Sequence, residues 1–165
     1  MRNLFILGAL ILFAAAPAIA QETPKAELFG GYEYLRLNPG GANCNGGDGN
    51  IAYNLNNWFG AVGDIGVCKV SGGGHAVNYL FGPRVSYREH GSLTPFGQVL
   101  FGGQHDAAGG LAFDSFAMTL GGGADYKFTD HVSFRGQAEY LYTHFGGIRQ
   151  NNARIQVGIV YRWGR

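Results

Sequence analysis

The stretch that decides the fold is ARIQVGIVYRW, residues 153–163. Its odd-numbered positions are apolar and end in two aromatic residues, Tyr161 and Trp163, whereas its even-numbered positions include Arg154, Gln156 and Arg162. Successive side chains of a β-strand point to opposite faces, so this stretch has one apolar face and one charged face. The pattern is typical of a strand that contacts lipid on one side and a wet lumen on the other.

The N-terminal segment has the features of a secretory signal. Arg2 precedes an apolar run over residues 4–16, and Ala18-Ile19-Ala20 matches a small-residue cleavage site. We therefore predict a signal peptide over residues 1–20 and an exported β-barrel domain over residues 21–165. The apolar run is shorter than the roughly 18 residues that a membrane-spanning helix needs, and no later stretch reaches that length.

The composition favours a barrel with a narrow interior. The chain has 29 glycines and only 14% charged residues. Glycine weakens strands unless backbones approach closely or small residues must fill a narrow space. Without Arg2, eleven Lys and Arg balance eleven Asp and Glu. The net charge therefore gives no reason to expect nucleic acid or another polyanion as a partner.

Apolar and polar residues alternate with a period of two through most of the chain. No segment after the signal peptide has the 3.6-residue apolar period of a helix. Tight turns are predicted at 56–57, 89–92 and 129–131. Four longer stretches are predicted to be outer loops that would contact any extracellular ligand: 38–49, 70–75, 105–114 and 145–152. The eight predicted strands are 26–37, 50–56, 58–69, 76–88, 93–104, 115–128, 132–144 and 153–163.

A secreted soluble β-sandwich or lipocalin-like barrel is the alternative fold, because alternation alone fits any half-buried sheet. Two features favour the membrane. The exported chain has only three lysines, Lys25, Lys69 and Lys127, although soluble outer faces are usually rich in lysine. The polar strand faces also carry Arg, Gln, Asp and Glu near strand centres, where a soluble barrel would have an apolar core.

Several segments together resemble a known family. They are Phe81-Gly82-Pro83-Arg84, residues 95–103, residues 135–140 and the C-terminal spacing of Gln156, Gly158, Tyr161 and Trp163. The chain resembles the eight-stranded outer-membrane β-barrels that include OmpA-like and OmpX-like barrels and opacity proteins. The resemblance implies an all-β, antiparallel up-and-down barrel in the lipid of a Gram-negative outer membrane. It also implies that Gln156, Gly158, Tyr161 and Trp163 form the signal read by the barrel-assembly machinery.

The polar strand faces also predict a lumen network. If the turn near Asp130 pairs its flanking strands, Asp125 lies opposite Arg135, and a similar turn places Arg84 opposite Gln98. An eight-stranded barrel is only just wide enough for side chains to fill it. A plugged lumen is therefore expected, with a gated ion path as the alternative. The predicted members are Asp64, Arg84, Gln98, Asp125, Arg135, Gln137 and Glu139.

The two cysteines are predicted to meet at the outer rim. Cys44 lies in the first predicted outer loop and Cys68 at the outer end of the third predicted strand. A hairpin around Trp58 places Cys68 opposite a position two residues from Cys44, in an oxidising compartment. A disulfide is expected, and two free thiols are the alternative.

No metal, cofactor or catalytic residue is predicted. The five histidines lie by topology at the two rims and do not converge, and no carboxylate has metal-ligand spacing with them. His131 and Ser133 superficially resemble the His/Ser pair of barrel-shaped lipid A deacylases, but strand parity turns Ser133 towards the lumen, away from outer-leaflet lipid. The sequence therefore does not favour an enzyme.

The leading functional hypothesis is an integral outer-membrane protein with a structural role in the envelope, whose outer loops mediate adhesion or surface contact. A narrow porin-like channel for small solutes or ions is the second hypothesis. A secreted soluble barrel that binds a ligand is the third.

Overall fold

The computed structural model describes residues 23–164 except positions 39, 72, 89, 90, 146 and 147. The predicted signal peptide, residues 1–20, lies outside the described residues. Over the described part of the chain, eight antiparallel strands form a closed barrel in which β8 pairs with β1. The predicted fold class is confirmed. The strands are β1 (Ala26–Arg36), β2 (Asn43–Asn54), β3 (Phe59–Val70), β4 (His75–Ser86), β5 (Leu93–Ala108), β6 (Leu111–Lys127), β7 (Val132–Phe145) and β8 (Ile148–Trp163).

The barrel has an apolar outside and a polar inside. In β8, Ile155 and Ile159 are exposed on the outer surface, whereas Arg154 and Gln156, on either side of Ile155, are completely buried. This distribution is the opposite of that in a soluble barrel, in which apolar side chains would fill the interior. Within the described residues no helix is long and apolar enough to cross a membrane.

The prediction for the second strand is wrong. Residues 43–49 belong to β2, although they were expected to lie in the loop 38–49. Their glycines allow the backbones of β2 and β3 to approach, since a Cβ at Gly46 would lie 1.9 Å from the carbonyl oxygen of Val67. Pairing with β1 and β3 on both sides therefore outweighs the low strand propensity of this glycine-rich segment.

Two other predicted loops are also mostly strand. The predicted loop 105–114 contains the ends of β5 and β6, which are joined by a turn at Gly109 and Gly110. Both glycines have positive φ, 61° and 81°, as a two-residue type I′ turn requires. Most of the predicted loop 145–152 belongs to β8. The predicted difference in loop length between the two rims is therefore absent from the described connections, and of the four stretches only 70–75 is largely a connection.

The two ends of the barrel are named here by their connections. The terminal rim carries the start of β1, the end of β8 and the connections 55–58, 87–92 and 128–131. The distal rim carries the connections 37–42, 71–74 and 109–110, the end of β7 and the start of β8.

Candidate functional site in the barrel lumen

All seven predicted lumen residues point into the barrel and are buried. Arg135 pairs with Asp125 across β6 and β7, with its Nε 2.6 Å from Oδ1 and its Nη2 2.8 Å from Oδ2. Arg84 lies opposite Gln98, and its Nε donates to Oε1 at 2.8 Å. These are the two cross-strand pairings that the turns predicted. The structure then connects them to residues that the sequence argument did not include.

The first group is the Arg154 cluster, which consists of Arg154 and the carboxylates of Glu33, Asp48, Asp64 and Glu139. The Arg154 guanidinium donates to all four, at 2.5 Å, 2.6 Å, 2.8 Å and 3.0 Å respectively. Every one of these side chains is 0% exposed. Within the described residues the cluster therefore holds one positive group against four acidic groups.

Gly66 makes room for this cluster. A Cβ at Gly66 would lie 2.6 Å from Oε2 of Glu33 and 2.9 Å from Nη2 of Arg154. The absence of a side chain at this inward position of β3 therefore gives the guanidinium the space in which it reaches its partners. A narrow eight-stranded lumen requires such small residues beside large ones.

The second group is the terminal cluster, which lies nearer the terminal rim. Arg135 and Arg88 contact Glu27 at 3.1 Å and 2.9 Å, and Arg162 contacts Asp125 at 2.7 Å. Arg84 is farther from Glu27, at 3.7 Å. The cluster consists of Arg84, Arg88, Arg135, Arg162, Glu27 and Asp125, so among the described residues it holds four guanidinium groups and two carboxylates.

Two phenylalanines in the lumen contact the arginines of the terminal cluster. The guanidinium carbon of Arg84 lies 4.5 Å from the ring centroid of Phe96, and that of Arg135 lies 4.7 Å from the same ring. Arg135 is also 5.5 Å from the ring of Phe29. Such cation–π contacts partly replace hydration of a buried cation.

The two clusters are joined through Gln98. Its Oε1 accepts from Arg84, and its Nε2 donates to Oε1 of Glu139 at 2.5 Å. The lumen therefore contains one continuous polar network with excess acidic groups on the distal side and excess basic groups on the terminal side. Buried charges of this kind depend on their partners, and removing one partner is strongly destabilising.

Sequence reasoning missed about half of this network: Glu27, Glu33, Asp48, Arg88, Arg154 and Arg162. Strand parity places Arg154 and Arg162 on the polar face of the stretch 153–163, and this pattern was sufficient to predict that both side chains point into the lumen. Glu33 shares a face with the apolar Phe29 and Leu35, so alternation in the first strand is unclear, and that face proves to be the lumen. Asp48 lies in a glycine-rich segment whose composition predicts a loop, although it belongs to β2.

The disulfide lies inside the barrel. Cys44 and Cys68 are bonded, with a Cα–Cα distance of 5.4 Å, and both are buried. Cys44 belongs to β2, so its predicted place in an outer loop is wrong. The bond packs with Leu35 and Leu141 in an apolar layer. Cys44 lies opposite Leu35, two residues nearer the distal rim than Glu33.

The described histidines do not come together as a metal site. No group of His, Cys, Asp and Glu within the described residues could hold a metal ion, and His90 lies outside them. His131 stacks against Tyr161 at the terminal rim, whereas Ser133 is buried and accepts a 2.7 Å hydrogen bond from Arg162. The His/Ser pair considered from the sequence therefore points to different sides of the barrel wall.

The residues proposed as an assembly signal divide between the two faces of β8. Tyr161 and Trp163 are exposed on the outer surface, and their rings stack with centroids 6.1 Å apart. Gln156 is buried and accepts a hydrogen bond from Gln137. Gly158 is packed against β1, because a Cβ there would lie 2.3 Å from the carbonyl oxygen of Gly30.

An apolar outer belt, a charged interior and closed strand pairing are the features of a membrane-spanning β-barrel. Residues 5–162 match the family described as the outer membrane protein beta-barrel domain. The chain belongs to this family. This outer-membrane barrel is therefore located in the bacterial outer membrane, surrounded by its lipid, and the soluble alternative is overturned.

Solved structures show the same fold at low sequence identity. Neisserial surface protein A matches with a TM-score of 0.62 and 13% identity, covering 84% of this chain and 96% of that chain. The N-terminal barrel domain of Pseudomonas aeruginosa OprF matches with a TM-score of 0.61 and 13% identity, covering 85% and 98%. Yersinia pestis Ail, the attachment invasion locus protein, matches with a TM-score of 0.53 and 16% identity, covering 84% of this chain and 99% of that chain. No curated protein matches this sequence significantly.

Proposed function

We propose that this outer-membrane barrel is a closed structural element of the envelope that catalyses no reaction. The observation that carries the proposal is the Arg154 cluster. A guanidinium and four carboxylates, all fully buried, occupy the centre of a lumen that is already narrow. An ion path would require these groups to separate, and each separated charge would lack its partner in a low-dielectric interior.

Recording across a planar lipid bilayer tests this proposal. The refolded protein is expected to show no steady conductance. Arg149→Gln, a change at an exposed arginine of the same strand, is expected to behave identically. Insertion is verified separately by the shift of the folded band on an unboiled gel. Regular conductance steps from verified, inserted wild-type protein would instead support the narrow-channel hypothesis.

A second candidate function is contact with another surface through the distal end of the β5–β6 hairpin. Leu111 and Phe113 are 63% and 44% exposed there, although strand parity places them on the inner face. They lie where β6 extends beyond its pairing with β7, which ends at Phe116 opposite His144. The similar Ail structure is named for attachment and invasion, which supports adhesion as this second function.

Cell adhesion tests the second function. Bacteria expressing Leu111→Ser together with Phe113→Ser are expected to adhere less to cultured host cells than those expressing the wild type. Lys69→Gln, at an exposed outward position near the same rim, is the control. Equal adhesion of all three strains, at equal surface expression, would exclude this hairpin as an adhesive surface.

We also propose that cleavage after Ala20 releases the mature chain and leaves the terminal rim in the periplasm. Tyr161 and Trp163 then lie at the inner interface of the membrane, where aromatic side chains are favoured. N-terminal sequencing of the purified protein, expected to begin at Gln21, tests the cleavage site. Protection of the terminal rim from protease added to intact cells tests the orientation.

A further inference from the structure

The mouth of the barrel at the terminal rim contains a cavity of about 630 Å³. It is distinct from the buried Arg154 cluster, and the proposed structural function does not use it. Its lining includes three cationic side chains, Arg88, Lys127 and Arg162, and one carboxylate, Asp130. A volume of several hundred Å³ is in the range of small-molecule sites. The sign of its charge favours an anionic occupant.

The charge behind the cavity has the same sign. Arg88 and Arg162 reach inward from the lining into the terminal cluster, where four guanidinium groups face two carboxylates among the described residues. The carboxylates of Glu27 and Asp125 are already shared between several arginines. The basic groups therefore exceed the acidic groups both in the wall of the cavity and directly below it.

Several nitrogen atoms of these guanidinium groups lack a hydrogen-bond acceptor. Arg162 lines the cavity with its side chain only 9% exposed, and its Nε has no hydrogen-bond partner, with Glu27 3.8 Å away. Nε of Arg88 and both Nη atoms of Arg84 also have none. A buried donor without an acceptor is costly, so an anion in the cavity would stabilise this end of the barrel.

We propose that this mouth binds a small oxyanion of the phosphate class. Planar guanidinium groups match the geometry of phosphate oxygens and bind them through charge-assisted hydrogen bonds. Thr94 and Lys127, also in the lining, carry further donors. Dissolved phosphate and the phosphate of a lipid headgroup share this chemistry. A headgroup has access because Tyr161 and Trp163, on the lipid-facing surface, border the cavity.

Trp163 provides the readout, because it lines the cavity. The chain has two tryptophans, so Trp58→Phe leaves Trp163 as the only indole. Inorganic phosphate is titrated into this folded protein in a neutral detergent, with chloride holding the ionic strength constant. A saturable change in fluorescence with a midpoint on the order of 1 mM is expected. The absence of any saturable change, both here and in vesicles containing phosphatidylglycerol, would overturn the proposal.

Charge-removing variants test the residues. Arg162→Gln is expected to weaken phosphate binding about tenfold. Lys127→Gln, at a half-exposed position that does not touch the buried network, is expected to weaken it about threefold. If Arg162→Gln does not fold, Lys127→Gln still tests whether the cationic side chains of the cavity bind phosphate. Arg149→Gln is the matched control and is expected to change nothing. Equal weakening in the control would show a nonspecific effect of charge and overturn the site.

Vesicles distinguish the two sources of phosphate. In vesicles of phosphatidylcholine alone, whose headgroup phosphate is balanced by the lipid's own choline cation, dissolved phosphate is expected to give the Trp163 response if the free anion is the ligand. If a lipid headgroup is the ligand, vesicles containing phosphatidylglycerol would give the response without added phosphate. Both results support an oxyanion site. A lack of response in both kinds of vesicle would reject the oxyanion site. It would not bear on the proposed structural function, which is tested separately by folding and by conductance.

Discussion

Replacing Arg154 by glutamine removes the one positive charge at the centre of the Arg154 cluster. The substitution keeps a polar side chain of similar length but leaves Glu33, Asp48, Asp64 and Glu139 without their shared guanidinium. Because all four carboxyl groups are 0% exposed, water cannot take the place of the lost partner without rearrangement of the lumen. We expect this to be among the most destabilising single substitutions in the barrel.

The size of the effect follows from the number and distance of the partners. Two unit charges about 4 Å apart interact by about 4 kcal/mol at an effective dielectric constant of about 20. Removing one member of a buried ion pair typically costs about 3–5 kcal/mol. Four carboxylates share the loss here, and they limit it by taking up protons or rearranging. We therefore expect the free energy of unfolding to fall by about 4 kcal/mol.

Urea unfolding of the refolded protein in lipid vesicles, followed by tryptophan fluorescence, measures this change. Arg149→Gln removes the same charge from an exposed position of the same strand and is expected to change stability by less than about 0.5 kcal/mol. Adding Asp48→Asn and Asp64→Asn to Arg154→Gln removes two of the unpaired charges and is expected to recover about 2 kcal/mol. A loss below about 1 kcal/mol for Arg154→Gln would refute the view that this guanidinium holds the lumen together.

Three further predictions concern single positions. Cys44→Ala opens a disulfide that closes 24 residues and should lower the free energy of unfolding by about 3 kcal/mol, as measured by denaturant. Gly66→Ala places a Cβ 2.6 Å from a carboxylate oxygen of Glu33 and should cost about 2 kcal/mol; an unchanged melting midpoint on unboiled gels would contradict this. At Gly136 a Cβ has nothing within 4 Å, so Gly136→Ala is its control. Trp163→Ala should reduce the fraction of folded barrel in outer membranes without affecting refolding in detergent; equal membrane yield would exclude Trp163 from the assembly signal.

Local sequence signals were sufficient for the fold but not for the strand ends. Alternation identified all eight strands, because the two faces of each strand contact lipid and lumen respectively. The boundaries failed where glycine and asparagine are frequent, as in residues 43–49. The glycine pair at Gly109 and Gly110 was a turn signal that could have shortened the predicted loop 105–114. Pairing with neighbours on both sides extends strands through segments whose own propensity predicts a loop.

The sequence by itself determined that this chain forms an eight-stranded barrel with lipid outside and polar groups inside, because a period of two is a property of neighbouring residues. The pairing of Asp125 with Arg135, and of Arg84 with Gln98, could also be predicted, because a tight turn fixes the register of the two strands that it joins. Only the tertiary structure decided that Glu33 would meet Arg154, 121 positions away in the chain. That contact depends on the register of all eight strands and on closure between β1 and β8, which no short segment specifies. For the same reason the separation of charge along the lumen, and the cationic cavity at one end, became visible only in the closed barrel.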